Sequence, residues 1–170
     1  MVNALVLKGF GLLKGLNDEE LAKIAEICSE RTMSEGETVH SEGTRATSIH
    51  LCRRGKVDIL IWVREPWNKN VCVHTAEVGE VFGWSAVVAP YTRTATAVCI
   101  EAGEEIYIPG LELVELCEKN PNIGFIVMRN LSAEIIARLS QTRQRLIIEW
   151  QASGMPSATS SSTWGEPRKR

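Results

Sequence analysis

The residues most able to do chemistry lie between Gly79 and Ala97, where a glycine turn precedes an arginine by ten positions. The pattern predicts a strand that ends at Gly83, one or two helical turns, and a second strand that begins near Arg93. Backbone N–H groups at the start of a helical turn are unpaired and carry partial positive charge, and a guanidinium adds a charged, bidentate fork. With the Thr94 hydroxyl beside it, this arrangement suits a phosphate or another small anion.

The histidines and cysteines offer other chemistry, which their spacing does not favour. His40, His50 and His74 are candidate metal ligands, but they lack the H-x-H plus Glu grouping expected of a cupin-like metal site. The five cysteines contain no C-x-x-C pair, so we expect reduced thiols rather than disulfides or a zinc site. The chain has no nucleophile elbow, P-loop or dinucleotide motif, which favours a protein that is not an enzyme.

A helix is predicted ahead of the site-bearing region. Asn17 and Glu20 have the spacing of a capping box, and Leu16 and Leu21 have the spacing of the accompanying hydrophobic staple. Apolar residues then recur at helical spacing, which predicts an amphipathic helix over 17–30 that packs on a larger element.

The region 32–108 has the pattern of half-buried strands separated by turn glycines. Several short strands at such spacing favour an antiparallel barrel or sandwich, and residues 66–70 predict a hairpin loop. Every second apolar residue is expected to face the core. These alternating positions are Ile49, Leu51, Val57, Ile59, Ile61, Val71 and Val73.

Helical periodicity returns after Pro109 and predicts C-terminal helices over 111–150. The second helix is long, from about residue 123 to Trp150, and carries an apolar stripe. Residues 1–150 are expected to form one domain, whereas 151–170 are rich in Ser, Thr, Pro and Gly and predict a disordered tail. The stripe comprises Met128, Leu131, Ile135, Leu139, Thr142 and Leu146.

Composition narrows the class of protein. The 170 residues are 44% hydrophobic and 24% charged, which is typical of a soluble globular chain. A net charge of -2 gives no overall attraction to nucleic acid or anionic membranes. No segment approaches the roughly 20 apolar residues of a membrane span, and the apolar N-terminus lacks a signal cleavage site. We therefore expect a cytoplasmic protein without membrane contact.

The stretch 79–97 resembles the phosphate-binding cassette of cyclic nucleotide-binding domains, the sensors of catabolite-activator-type (CRP/FNR) regulators and of cyclic AMP-dependent kinase regulatory subunits. The resemblance covers roughly 10–146 and includes GLNDEEL, SEGETVHSEG, CRRGKV and LSAEIIARLSQT. It implies a mainly β fold with flanking α: an antiparallel double-stranded β-helix (jelly-roll or β-roll) with an N-terminal helix and a long C-terminal helix.

Individual residues of the family's pocket can be matched to positions in this sequence. The resemblance implies that Gly83 is the turn glycine, that Arg93 binds the cyclic phosphate, and that Thr94 supplies the neighbouring hydroxyl. Ser85 and Ala86 match positions whose backbone lines the cassette. Arg93 also has a structural alternative, since an arginine in this position is able to pair with a surface carboxylate instead.

Two further positions bear on the sugar and the base. Trp84 stands where the family has the glutamate that binds the ribose 2′-hydroxyl, and an indole offers one N–H and no acceptor. Loss of that charge-assisted hydrogen bond, about 1.5 to 3 kcal/mol, predicts cyclic AMP affinity about ten- to a hundredfold weaker. Glu80 precedes the turn and does not substitute. Trp84 either stacks on a ligand or packs in the core, and Thr142 either contacts a base, as in bacterial members, or packs.

The sequence thus predicts a sensor module for a small anionic ligand, with cyclic AMP or a related cyclic nucleotide as the first candidate and no other cofactor. The long helix predicts a homodimer that signals to a separate effector protein. Direct DNA binding is not expected, because no helix-turn-helix pattern follows Trp150. Two alternatives stay open: a ligand-free dimerisation or scaffold module, and a truncated transcription regulator.

Overall fold

A computed structural model describes residues 2–152. The chain divides into two compact units, Met1–Ile136 and Ala137–Arg170, and the described part of the second unit is the end of one helix. The predicted tail lies outside the described residues except for Gln151 and Ala152, which are helical. The α-helices are α1 (Ala4–Leu7), α2 (Asp18–Ile27), α3 (Gly110–Lys119) and α4 (Pro121–Ala152), and 3₁₀ turns span Gly11–Leu13 and Trp84–Val87.

Six strands form one antiparallel sheet, in agreement with the predicted fold class. The order along its main path is β1, β6, β3, β4, with β2 also paired to β6 and β5 to β3. The long strands β3 and β6 therefore form the centre of the roll. The strands are β1 (Ser29–Met33), β2 (Thr38–His40), β3 (Ser48–Val63), β4 (Lys69–Ala76), β5 (Val81–Phe82) and β6 (Thr96–Pro109).

The capping box at the start of α2 is present. The Asn17 side chain accepts from the Glu20 N–H at 3.0 Å, and the Glu20 carboxylate accepts from the Asn17 N–H at 2.9 Å. The helix ends at Ile27, three residues before the predicted boundary, because the chain turns into β1 at Ser29. The short helix α1 and the Gly11–Leu13 turn had no clear signal in the sequence.

Two hydrophobic clusters hold the first unit together. The larger one joins the N-terminal helices, α3 and the first turns of α4 to one end of the roll, where Ile49, Leu51 and Ile106 have no exposed surface. The smaller cluster fills the roll beside the cassette. Its buried members are Met33, Cys52, Val57, Ala76, Phe82, Ala97 and Cys99.

The alternation predicted for β3 and β4 holds only in part. Val57 is fully buried, but Ile61 and Val71, which pair across the hairpin, are 38% and 37% exposed. Strand β3 pairs with β6 as far as Leu60, and beyond that residue it pairs with β4 alone. The ribbon therefore has fewer neighbours there, and its apolar face stays at the surface.

Two glycines allow β3 and β6 to remain paired through an irregular register. Gly55 has a φ of +84°, and a Cβ atom there would lie 2.3 Å from the Glu101 carbonyl oxygen. A Cβ atom at Gly103 would lie 1.9 Å from the carbonyl oxygen of Arg54. Both positions require glycine because the two backbones touch, and the register shifts of β3 fall beside them.

Candidate functional site

The turn at Gly83 joins the central sheet to the cassette, the segment 79–97. Strand β5 pairs with β3 through Val81 and Phe82, and Gly83 then adopts a left-handed conformation with φ +72° and ψ +28°. The following 3₁₀ turn closes with a 3.3 Å hydrogen bond from the Ala86 N–H to the Gly83 carbonyl. A left-handed residue at this point favours glycine, since it has no Cβ penalty.

The backbone of Arg93 is fixed by the loop between β2 and β3. Its N–H donates to the Thr44 carbonyl at 2.8 Å, and its carbonyl accepts from the Gly43 N–H at 2.9 Å. A further bridge pairs Arg45 with Thr92. This short ladder brings Arg93 to Gly83, although ten residues separate the two along the chain.

The Arg93 side chain is buried, with 3% of its surface exposed, and points into the roll. Nη1 donates to the Gly83 carbonyl at 2.7 Å, and Nη2 donates to the Ser48 carbonyl at 2.8 Å. Nη2 also lies 3.2 Å from His50 Nε2, whereas Nε is buried with no hydrogen-bond partner among the described residues. Burial lowers the pKa of this guanidinium and the charge of Glu105 opposes the change, but an arginine remains charged at neutral pH.

A polar chain, buried except at its Arg31 end, runs from Arg93 through His50 and Glu105 to Arg31. Glu105 has no exposed surface; its carboxylate accepts from Arg31 Nε at 2.6 Å and lies 3.0 Å from His50 Nδ1. Because Arg93 has only donors, a hydrogen bond with His50 requires an acceptor at Nε2 and places the proton of His50 on Nδ1. His50 is therefore neutral and donates to Glu105, which agrees with the lowering of its pKa by burial and by the charge of Arg93.

Glu105 remains ionised at this position. Burial by itself would raise the pKa of its carboxyl group, but the hydrogen bond from His50 and the charge and hydrogen bond of Arg31 outweigh burial and lower the pKa. The carboxylate thus balances the charge of Arg31 and orients the imidazole that faces Arg93.

His40 completes the polar side of the site. Its ring centroid lies 5.5 Å from that of His50 and 6.1 Å from that of Phe82, and His50 stacks on Phe82 at 5.0 Å. A Cβ atom at Gly83 would be 2.5 Å from Arg93 Nη1, 2.9 Å from His50 Cδ2 and 3.4 Å from His40 Nε2. Gly83 therefore lets the backbone approach Arg93 and His50, both of which an alanine would displace.

A comparison with known protein families matches the segment that contains this geometry. The model of the cyclic nucleotide-binding domain matches residues 30–120, which is more than half of the chain and includes every residue of the polar chain and the cassette. The chain belongs to the cyclic nucleotide-binding domain family.

Solved structures share the fold of this cyclic nucleotide-binding domain. A protein of Geobacter metallireducens GS-15, described as a candidate cyclic nucleotide-binding protein, is 28% identical; the match covers 82% of this chain and 99% of that one, with a TM-score of 0.71. A cyclic nucleotide-binding domain of Methylobacillus flagellatus KT is 14% identical over 91% and 84%, with a TM-score of 0.75. The catabolite activator protein of Thermus thermophilus is 20% identical over 85% and 72%, with a TM-score of 0.67.

A curated relative is much longer than this chain. Glutaminase 1 of Bradyrhizobium diazoefficiens is 28% identical over 128 residues, which are 75% of this chain and 20% of that protein. The chain thus spans about a fifth of the length of that relative.

The other predicted site residues of the cyclic nucleotide-binding domain differ in burial and in position. Ala86 is buried and Ser85 half-buried in the 3₁₀ turn, and Trp84 is half-buried and packs against the larger core cluster. Thr94 is exposed at the end of the cassette. Thr142 lies in the second unit, where it is exposed and donates to the Arg138 carbonyl at 2.9 Å.

The histidines and cysteines do not form a metal site within residues 2–152, where no group of three or more His, Cys, Asp or Glu side chains has suitable geometry. His74 instead lies 2.9 Å from Glu80. All five cysteines are free thiols, and burial raises the pKa of Cys28 to about 12 and that of Cys52 to about 11. In the same part of the chain, no helix is long and apolar enough to cross a membrane.

Sequence reasoning missed three residues of the polar chain. His50 was considered only as a metal ligand, and Glu105 and Arg31 had no motif around them. In the sequence, Glu105 directly precedes the apolar residues Ile106, Tyr107 and Ile108 of a predicted strand, which is only a weak signal of a buried carboxylate. Its partners are 55 and 74 positions away in sequence, so only the strand pairing brings them together.

The two site histidines predict a loss of stability in mild acid. Burial, and then the charge of Arg93, lower the pKa of His40 to about 3. A histidine with a lowered folded-state pKa contributes stability that is complete above about pH 6.5, the unfolded value, and is lost as the pH falls toward the folded value. Below pH 6.5 each such histidine costs about 1.4 kcal/mol per pH unit.

We therefore expect the free energy of urea unfolding to fall by at least about 1.5 kcal/mol between about pH 6.5 and 5, which is the part due to His40. The variant His40→Gln should lose this part and keep the dependence that comes from His50, whose pKa is also lowered. A profile that is flat over this interval, or unchanged in the variant, would contradict the neutral state of His40.

Proposed function

We propose that this chain is a regulatory module that binds a cyclic nucleotide, or a closely related cyclic phosphate, in the cassette. The observation that carries the proposal is the buried Arg93 guanidinium held at the Gly83 turn, inside the segment that the family model matches. A regulatory domain of a Toxoplasma gondii kinase in complex with cyclic AMP has the same fold, with a TM-score of 0.60.

The ligand would complete the hydrogen bonding of Arg93. Nε has no partner among residues 2–152, and both terminal nitrogens donate to neutral carbonyl oxygens. Charge-assisted hydrogen bonds to phosphate are about twice as strong as those to a neutral acceptor, so a cyclic phosphate is favoured over these carbonyls. In this proposal Ser85, Ala86 and Thr94 line the remainder of the phosphate site.

A route for the signal lies where the cassette touches α3. A Cβ atom at Gly110 would lie 2.2 Å from the Ala86 carbonyl oxygen, and the Gly110 N–H donates to the Thr47 carbonyl at 2.8 Å. The first residue of α3 is thus packed directly on the 3₁₀ turn. We propose that closure of the cassette on a ligand displaces α3 through this contact and changes what a separate effector protein can bind.

The second unit supplies the proposed dimer contact. Its described residues form the end of α4, where Leu139, Leu146 and Ile147 are 48%, 61% and 53% exposed. An apolar stripe on an exposed helix is typically covered by the same helix of a second subunit, in a symmetric pair. We propose a homodimer built on this stripe, in which Thr142 lies beside the contact.

We assign the chain a non-enzymatic function. The matched family and the structures that share its fold are cyclic nucleotide-binding domains and regulators. The likeness to Glutaminase 1 covers 20% of that protein, and we propose that this chain corresponds to a regulatory part of such a protein rather than to its catalytic part.

One observation favours a second candidate, a ligand-free dimerisation module. Trp84 stands where the family resemblance leads us to expect a glutamate. Its side chain packs against the larger core cluster, and its indole has no acceptor for a ribose hydroxyl. Both terminal nitrogens of Arg93 are also already engaged. In this candidate the cassette is a structural clasp and the stripe on α4 is the functional surface.

A single pair of measurements on the parent protein separates the two candidates. Calorimetric titration with cyclic AMP and cyclic GMP is expected to give a saturable 1:1 isotherm with a dissociation constant in the micromolar range, about 8 kcal/mol. Native mass spectrometry is expected to show a dimer that carries ligand. A dimer that binds neither nucleotide supports the scaffold candidate and contradicts the sensor.

A further inference from the structure

His40 reaches the interior of the roll through a local irregularity of β2. Thr38 pairs with Val98 and His40 with Ala97, so one residue lies between the two β2 positions whereas their partners on β6 are adjacent. Such a bulge re-aims a side chain. Both Val39 and His40 contact the smaller core cluster, although neighbours in a regular strand face opposite sides.

The ring nitrogens of His40 are buried and poorly paired. Nδ1 and Nε2 are both inaccessible to solvent, and neither makes a hydrogen bond of good geometry among the described residues, although the backbone at Ala95 and at His40 itself interacts with the ring and opposes the lowering of its pKa. An unpaired buried polar group is destabilising, so this arrangement is costly unless something else pairs with the ring. Arg93 also has an unpaired buried nitrogen, Nε, on a side chain that is 3% exposed, and both Arg93 and His40 approach Gly83.

His40 is close to where the ligand must bind. Its Nε2 would lie 3.4 Å from a Cβ atom on Gly83, the residue whose carbonyl accepts from Arg93. The next residue of the turn is Trp84, whose indole has no acceptor. His40 therefore lies beside the turn that Arg93 also approaches, and its neutral ring offers one donor and one acceptor to a ligand there.

We propose that His40 recognises a sugar hydroxyl of the bound cyclic nucleotide and replaces the carboxylate that is missing at Trp84. A neutral imidazole has one N–H and one lone pair, and a hydroxyl both donates and accepts, so the two are complementary. The inference rests on the proposed function and names the residue that makes the site selective for a ribose over a deoxyribose.

The test compares cyclic AMP with 2′-deoxy cyclic AMP by calorimetric titration. The parent protein is expected to bind cyclic AMP about five- to tenfold more tightly, the range of one neutral hydrogen bond. In His40→Leu the two affinities should agree within about twofold, and His40→Gln, whose carboxamide also donates and accepts, should restore most of the preference. His74→Leu, which removes a histidine paired with Glu80, is the matched control and should leave the preference unchanged.

A structural function of His40 gives a different result. Without ligand, His40→Leu is expected to unfold at the same temperature as the parent or a higher one, because the substitution removes two poorly paired nitrogens. If the preference for cyclic AMP persists in His40→Leu, the assignment of His40 is wrong while the sensor function stands. If the parent binds neither nucleotide, both are wrong.

Discussion

Substitution of Arg93 by alanine is expected to weaken cyclic AMP binding by at least about a hundredfold. Two charge-assisted hydrogen bonds to a phosphate contribute about 1.5 to 3 kcal/mol each, and about 2.7 kcal/mol is a hundredfold. Arg93→Lys should recover only part of the affinity, since an ammonium keeps the charge but cannot bind a phosphate through a fixed fork. The measurement is calorimetric titration of each purified variant.

Arg54→Ala is the matched control for Arg93→Ala. Arg54 is an exposed arginine on β3, outside the polar chain, and its removal changes the net charge by the same amount. We expect its affinity to stay within about twofold of the parent, because exposed charges are largely screened. Circular dichroism should show folded protein in each case. Equal affinities for Arg93→Ala and the parent would disprove the assignment of Arg93 to the phosphate.

The largest loss of stability is expected for Glu105→Ala. This substitution removes a fully buried carboxylate that accepts from Arg31 at 2.6 Å and pairs with His50 at 3.0 Å. The His50 Nδ1–H is then left without an acceptor, which alone costs about 1 to 3 kcal/mol, and a charge-assisted hydrogen bond is lost as well. We expect a decrease of about 3 kcal/mol or more in the free energy of urea unfolding at neutral pH.

Glu104→Ala is the control for Glu105→Ala. The neighbouring glutamate pairs with Arg53 at 3.5 Å, and both side chains are more than a third exposed. Exposed ion pairs contribute about 0 to 1 kcal/mol, so the loss should stay below about 1 kcal/mol. Similar losses for the two variants would show that the buried chain does not stabilise the fold. Cyclic AMP is expected to bind Glu105→Ala more weakly than the parent, because His50 no longer has a fixed orientation beside Arg93.

Much of the fold could be read from the sequence because its signals are local. A capping box depends on residues three positions apart, and both of its hydrogen bonds are present at α2. The loop predicted at 66–70 overlaps the connection between β3 and β4, although Lys69 and Asn70 already belong to β4. The exposed ends of those strands, by contrast, could not be predicted, because a residue such as Ile61 is buried or exposed according to which strands cover it.

The cassette was found from its residue types, but its geometry was not. Gly83 and Arg93 are ten residues apart, so a contact between them was a reasonable expectation. Nothing in the residue pattern indicates that Arg93 points inward and donates to the carbonyls of Gly83 and Ser48. Ser48 is 45 positions away, and the pairing of β3 with β5 and β6 brings it to the site.

The sequence alone determined the glycine turn and the arginine that follows it, since backbone freedom and a permanent charge are properties of single residues. The tertiary structure decided what surrounds that charge. His40, His50 and Glu105 come from three different strands and meet only when the sheet forms. Their protonation states follow from burial and from one another's charges, which exist only in the folded chain.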